Sequence, residues 1–91
     1  MKSITLDLAD GIATVTTEQI KLSGAYINRA MNDYECVLQD GSTMRHVIPA
    51  LMAGAESIDF DMAEYTDGLI IVPDVNGTGN ITLSYEILVG R

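Results

Sequence analysis

Thr16-Thr17-Glu18-Gln19-Ile20-Lys21-Leu22-Ser23-Gly24-Ala25-Tyr26-Ile27-Asn28-Arg29-Ala30-Met31-Asn32-Asp33-Tyr34 is the stretch on which the fold class turns. Within it Ile20, Gly24, Ile27, Met31 and Tyr34 fall at helical spacing, and Thr16 with Gln19 has the form of a capping box. A helix near residues 17–33 would make the protein α+β. Against it, Ser23-Gly24 sits in the middle, and a glycine there weakens a helix by about 1 kcal/mol. The same residues also read as a strand ending near Leu22, a Ser-Gly turn and a second strand over residues 25–31. The strand reading is preferred, and the helix stands as its alternative.

On either side the sequence alternates with a period of two, the mark of half-buried strands. Ile4, Leu6 and Leu8 alternate with Ser3, Thr5 and Asp7; Asp10-Gly11 offers a turn, and Ile12-Ala13-Thr14-Val15-Thr16-Thr17 returns. These segments read as a β-hairpin. A second hairpin is expected where Tyr34, Cys36 and Leu38 face Met44, His46 and Ile48 across Gln39-Asp40-Gly41-Ser42. Ile58-Asp59-Phe60-Asp61-Met62 alternates apolar with acidic, and the final strand, Ile81 through Val89, alternates for nearly its whole length. Leu69-Ile70-Ile71-Val72 is continuously apolar, as in a strand covered on both faces, and Pro73 ends it. Pro49-Ala50-Leu51-Met52-Ala53-Gly54-Ala55 reads either as one short helical turn with proline at its start or as a strand-to-strand crossing. About seven short strands in 91 residues predict an all-β, single-domain β-sandwich or small antiparallel barrel spanning residues 1–91, Greek-key or jelly-roll-like.

Composition narrows the function. Thirteen acidic against five basic side chains leave a net charge of −8, and Lys2, Lys21, Arg29, Arg45 and Arg91 are scattered. Nucleic-acid binding draws on clustered lysine and arginine, so no nucleic acid is expected as a partner. Anionic membrane surfaces are disfavoured for the same reason. No stretch approaches the roughly 18 consecutive apolar residues of a membrane helix. The start, Met1-Lys2-Ser3-Ile4-Thr5, lacks the apolar core of a secretory signal, so Asn76-Gly77-Thr78 and Asn80-Ile81-Thr82 are read as chance glycosylation patterns. Gly68, Gly77 and Gly79 lack the spacing of a phosphate loop.

The candidate chemistry is sparse. His46 is the only histidine and Cys36 the only cysteine; the pair would need to meet across the second hairpin, and a packed strand histidine and a buried thiol are the plainer readings. Asp59 and Asp61, two apart on a strand, present both carboxylates on one face. With Glu64, Asp67 or Asp74 they suggest a calcium site, or alone an acid-base pair, but a solvated acidic face suffices to explain them. No metal, cofactor or catalytic residue is therefore expected. Tyr26, Tyr65 and Tyr85 are the candidates for stacking on a sugar if the domain is instead a carbohydrate- or ligand-binding module.

Ile20-Lys21-Leu22-Ser23-Gly24-Ala25-Tyr26, Cys36-Val37-Leu38-Gln39-Asp40-Gly41-Ser42-Thr43-Met44 and the strand from Ile81 to Val89 resemble the small all-β structural proteins of tailed bacteriophages. That resemblance implies a non-enzymatic component of the virion, made in the host cytoplasm. It would decorate the capsid or belong to tails and fibres, assembling as a homo-oligomer on a capsid or tail surface. Candidate contact residues are Leu69, Ile70, Ile71 and Val72, if one face of that run is exposed, together with Leu51 and Met52.

Overall fold

A computed structural model describes residues 1–88 of the chain; the expected extension of the last strand to Val89 lies outside them. Eight strands form two four-stranded antiparallel sheets. They are β1 (Lys2–Asp7), β2 (Ala13–Thr16), β3 (Ile20–Arg29), β4 (Cys36–Asp40), β5 (Thr43–Ile48), β6 (Ser57–Tyr65), β7 (Leu69–Pro73) and β8 (Asn80–Ile87). One sheet runs β1-β8-β3-β6 and the other β2-β7-β4-β5. This is a β-sandwich with the strand order of a jelly roll.

The order has a simple origin. The chain doubles back at Gly41-Ser42, and the pairs β4–β5, β3–β6, β2–β7 and β1–β8 follow outward from that turn like the two sides of one long ribbon. Rolling the ribbon adds the pairs β3–β8 and β4–β7 and closes both sheets. Gly41 takes the positive φ (60°) that the first residue of a type II′ turn needs. The Asp40 carboxylate beside it accepts hydrogen bonds from Thr66 N (3.1 Å), Thr66 Oγ1 (3.3 Å) and Asp67 N (2.7 Å). One acidic side chain thus ties the β4–β5 turn to the β6–β7 turn.

The core lies between the sheets. Ile20, Leu22, Ala25 and Ile27 of β3 and Ile81, Leu83 and Tyr85 of β8 face Cys36 and Leu38 of β4, Ile48 of β5, and Leu69 and Ile71 of β7. Phe60 and Tyr65 of β6, with Leu8 and Met31 from the connecting segments, complete it.

The ambiguous stretch is one strand, neither a helix near 17–33 nor two strands about a turn. Ser23 bulges from β3 against β8, so the inward residues run Ile20, Leu22, Ala25, Ile27. A bulge adds a residue to one period-two step, which brings the spacing close to a helical period. Thr16 Oγ1 accepts from Glu18 N at 3.1 Å in a local turn rather than capping a helix. β6 does the same: its register against β3 jumps between the pairs Gly24–Asp59 and Leu22–Ala63. Asp61 and Met62 sit there at φ 56° and 55°, so the clean alternation ends at Phe60.

Two further expectations are corrected. β1 and β2 are not a hairpin; they lie in different sheets, because β1 pairs with β8 and a 3-10 turn over Leu8–Asp10 carries the chain across. The Asp7 carboxylate accepts from Ala9 N at 3.0 Å, and Leu8 N donates to Gly79 O at 2.9 Å while the Leu8 side chain enters the core. The segment over residues 49–55 holds no helical turn. It is a crossing with Leu51 and Ala55 at positive φ, tied down by Leu51 N to Asn32 O and Ala55 N to Ile27 O.

Candidate functional site

The two sheets present unlike outer faces, and that contrast organises the functional surface. Alternation along each strand sends one set of side chains into the core and the other out. On the β1-β8-β3-β6 sheet the outward set is polar. Thr5 and Thr82 hydroxyls meet at 2.9 Å, Asn28 Nδ2 donates to Asn80 Oδ1 (2.8 Å) and Thr82 Oγ1 (2.7 Å), and Gln19 Nε2 donates to Glu64 Oε1 (3.0 Å). On the β2-β7-β4-β5 sheet, Val72, Val37 and Val47 lie side by side in register, with Ile70 one step along beside Thr14 and Gln39. These aliphatic side chains are half-buried, Met44 on the edge strand is 61% exposed and Ile12 just before β2 is 70% exposed. No outward position of β7 or β4 on this face is charged.

Of the run Leu69-Ile70-Ile71-Val72, therefore, only Ile70 and Val72 reach the surface. Leu69 and Ile71 are fully within the core and are withdrawn as contact residues, because a strand in a two-layer sandwich has one covered face rather than two. Leu51 is 66% exposed on the 49–55 crossing, and Met52 packs partly against the core. Val37, Val47, Met44 and Ile12 were missed. Val37 and Val47 alternate with core residues of the hairpin already recognised in the sequence, which was the available signal.

The chemically equipped residues are placed as follows. Cys36 pairs with Ile48, and His46 stands opposite Leu38, so the two do not meet; Arg45 is the extra residue of a bulge in β5 that sets this register. Burial pushes the Cys36 thiol up to about 12, which leaves it an inert part of the core. His46 Nδ1 is 2.7 Å from the Tyr65 hydroxyl, and its ring lies 4.9 Å from that of Phe60. Arg45 donates from Nε to Glu64 O at 3.1 Å, with its guanidinium 5.7 Å from the Tyr65 ring centre. Burial holds the Tyr65 phenol well above its usual range, with Arg45 opposing and Asp40 reinforcing the effect. Desolvation, and then the neighbouring Arg45 charge, hold His46 below the usual histidine value of 6.5. These contacts form a strut between β5 and β6.

The sign of the His46 shift sets a pH dependence. The unfolded chain binds a proton near pH 6.5 that the folded chain refuses, so the stabilisation is complete above that pH and is lost as pH falls through it to the lower folded value. Asp7, held below 3.8 by the Ala9 N–H and by Arg29, whose guanidinium is 3.2 Å away, contributes a separate loss at more acid pH. The expected result is a urea midpoint that drops across the histidine range in the native chain and stays level there in His46→Gln. An equal drop in both chains would count against the assignment.

Asp59 Oδ1 accepts from Asp61 N at 2.7 Å in a local turn on the open surface. Among the described residues no three histidine, cysteine or carboxylate groups converge as metal ligands, so Glu64, Asp67 and Asp74 do not join the pair. Tyr65 and Tyr85 are buried in the core and cannot stack on a ligand; Tyr26 is 47% exposed on the polar face. No helix among the described residues is long and apolar enough to cross a membrane. No protein-family model, curated protein or solved structure matches the chain.

Proposed function

We propose that the protein is a non-enzymatic structural component of a virion, binding its own copies and seating on a capsid or tail surface. The single observation that carries this reading is the uncharged aliphatic patch of Val37, Val47, Ile70 and Val72 on the outer face of the β2-β7-β4-β5 sheet. Copies carrying a net charge of −8 repel one another over most of their surfaces. Val37, Val47, Ile70 and Val72 offer a place where two copies, or a copy and a lattice partner, meet without opposing carboxylates. An antiparallel sandwich with one solvated sheet and one covered sheet is what such a packing would leave. Jelly rolls also build lectin domains and cupins, so the fold admits this role without selecting it. The preference comes from the face, and from the resemblance to phage structural proteins.

Sedimentation equilibrium of the native chain and of the double variant Val37→Lys, Val72→Lys tests the contact. Both substitutions point outward, so far-UV circular dichroism should be unchanged while the native oligomer dissociates to monomer. A native chain that is monomeric at high concentration removes the self-assembly. Peptide mass spectrometry of virions purified from the cell that carries the coding sequence tests the location, and absence from them removes it.

A further inference from the structure

The outer face of the polar sheet carries a depression where β3, β6 and β8 run side by side. It is lined by the polar or aromatic residues Ser23, Tyr26, Ser57, Asp59 and Ser84 together with Gly24, Ala25 and Ile58, with a volume of about 380 Å³. Gly24 makes the floor. A Cβ at that position would lie 2.7 Å from Ile58 O, so the close approach of β6 to the β3 bulge keeps the site bare of a side chain. We propose that this depression is a saccharide subsite, taking one neutral pyranose ring stacked on Tyr26 and hydrogen-bonded by Asp59 and the three serine hydroxyls.

The chemistry matches on each side of such a ring. Tyr26 offers an aromatic face to the apolar C–H face of a sugar, and tyrosine loses little rotamer freedom on binding. Serine hydroxyls both donate and accept, as sugar hydroxyls do, and an ionised carboxylate accepts two hydroxyl protons. Asp59 is already oriented, because Asp61 N holds its Oδ1 and leaves the second oxygen to accept. The bulge in β6, with Asp61 and Met62 at positive φ, is thus what fixes the carboxylate at the rim.

Other ligand classes fit less well. Anions meet Asp59 and a net charge of −8, so acidic sugars and phosphates are disfavoured. An extended peptide could add a strand only along the outer edge of β6, beside the depression and not in it, since β3 is already flanked by β8 and β6. An apolar molecule finds one aromatic ring, Ala25 and the half-buried Ile58, and no enclosure. Being open, the site binds one ring in the millimolar range, and useful affinity comes from several copies engaging a polymer at once.

The test is a nitrogen-15 NMR titration of the full chain with methyl hexopyranosides (glucose, galactose and N-acetylglucosamine types) at millimolar concentrations. Saturable shifts confined to Ser23, Gly24, Tyr26, Ser57, Asp59 and Ser84 are expected. Tyr26→Ala should weaken binding at least about tenfold and Asp59→Asn several-fold. Both variants should keep the native sedimentation behaviour, so the subsite and the assembly face succeed or fail separately. No saturable shift with any neutral sugar, shifts elsewhere on the molecule, or full binding by Tyr26→Ala would overturn the proposal.

Discussion

Gly68→Ala is expected to cost about 3 kcal/mol or more in unfolding free energy, a large part of the roughly 5–15 kcal/mol available to a small domain. Two effects add. Gly68 has φ 104°, a conformation that residues with a Cβ rarely adopt; strain of that kind costs about 1–3 kcal/mol. The new Cβ would also press on the Thr16 carbonyl oxygen and lie 2.9 Å from Thr17 Cα. Both are main-chain atoms at the end of β2, where Thr16 pairs with Leu69, so relief requires moving the β2–β7 pair itself. Gly11→Ala is the control, since Gly11 has φ 85° but nothing within 4 Å of the added carbon. It should cost only the strain of its backbone at φ 85° and ψ −160°, about 1–3 kcal/mol. Urea unfolding followed by far-UV circular dichroism measures both. Equal losses would mean that the close approach of Gly68 to Thr16 is wrong.

The second large effect separates two adjacent isoleucines. Ile71→Ala should cost about 2–5 kcal/mol, because Ile71 is 1% exposed between the sheets and its loss leaves a cavity. Ile70→Ala removes the same atoms from the outer face and should cost well under half as much in the monomer. If the oligomer forms through that face, Ile70→Ala acts instead on the association constant. Chemical denaturation of dilute protein, paired with sedimentation at higher concentration, reads the two effects apart. Similar losses from both substitutions would argue that β7 is covered on both faces within a single copy.

That pair marks the boundary of what the sequence could say about the candidate interface. Four successive aliphatic residues announce a strand but not its faces. Their burial depends on which strands flank β7 and on what covers the sheet. His46 and Cys36 illustrate the same limit at shorter range. The β4–β5 hairpin was legible from alternation and the Asp40-Gly41-Ser42 turn, yet the Arg45 bulge moves His46 one place, from opposite Val37 to opposite Leu38, and in neither register does it face Cys36. The depression on the polar sheet was not legible either. Tyr26 was recognised as a stacking candidate alongside Tyr65 and Tyr85, but only the strand pairings reveal that the other two point into the core.

Alternation in β1, β4 and β8 and the turn chemistry at Gly41 determined by themselves an all-β domain with facing apolar layers. Side-chain period and backbone φ preference are local properties, carried by a few neighbouring residues. Tertiary structure alone decided that β1 leaves β2 to join β8, that β3 runs unbroken through Ser23-Gly24, and that the outer faces differ so sharply. Those outcomes rest on pairings between residues as far apart as Lys2 and Tyr85, where loop-closure entropy and packing against the opposite sheet select the partner. No window of neighbouring residues contains that competition.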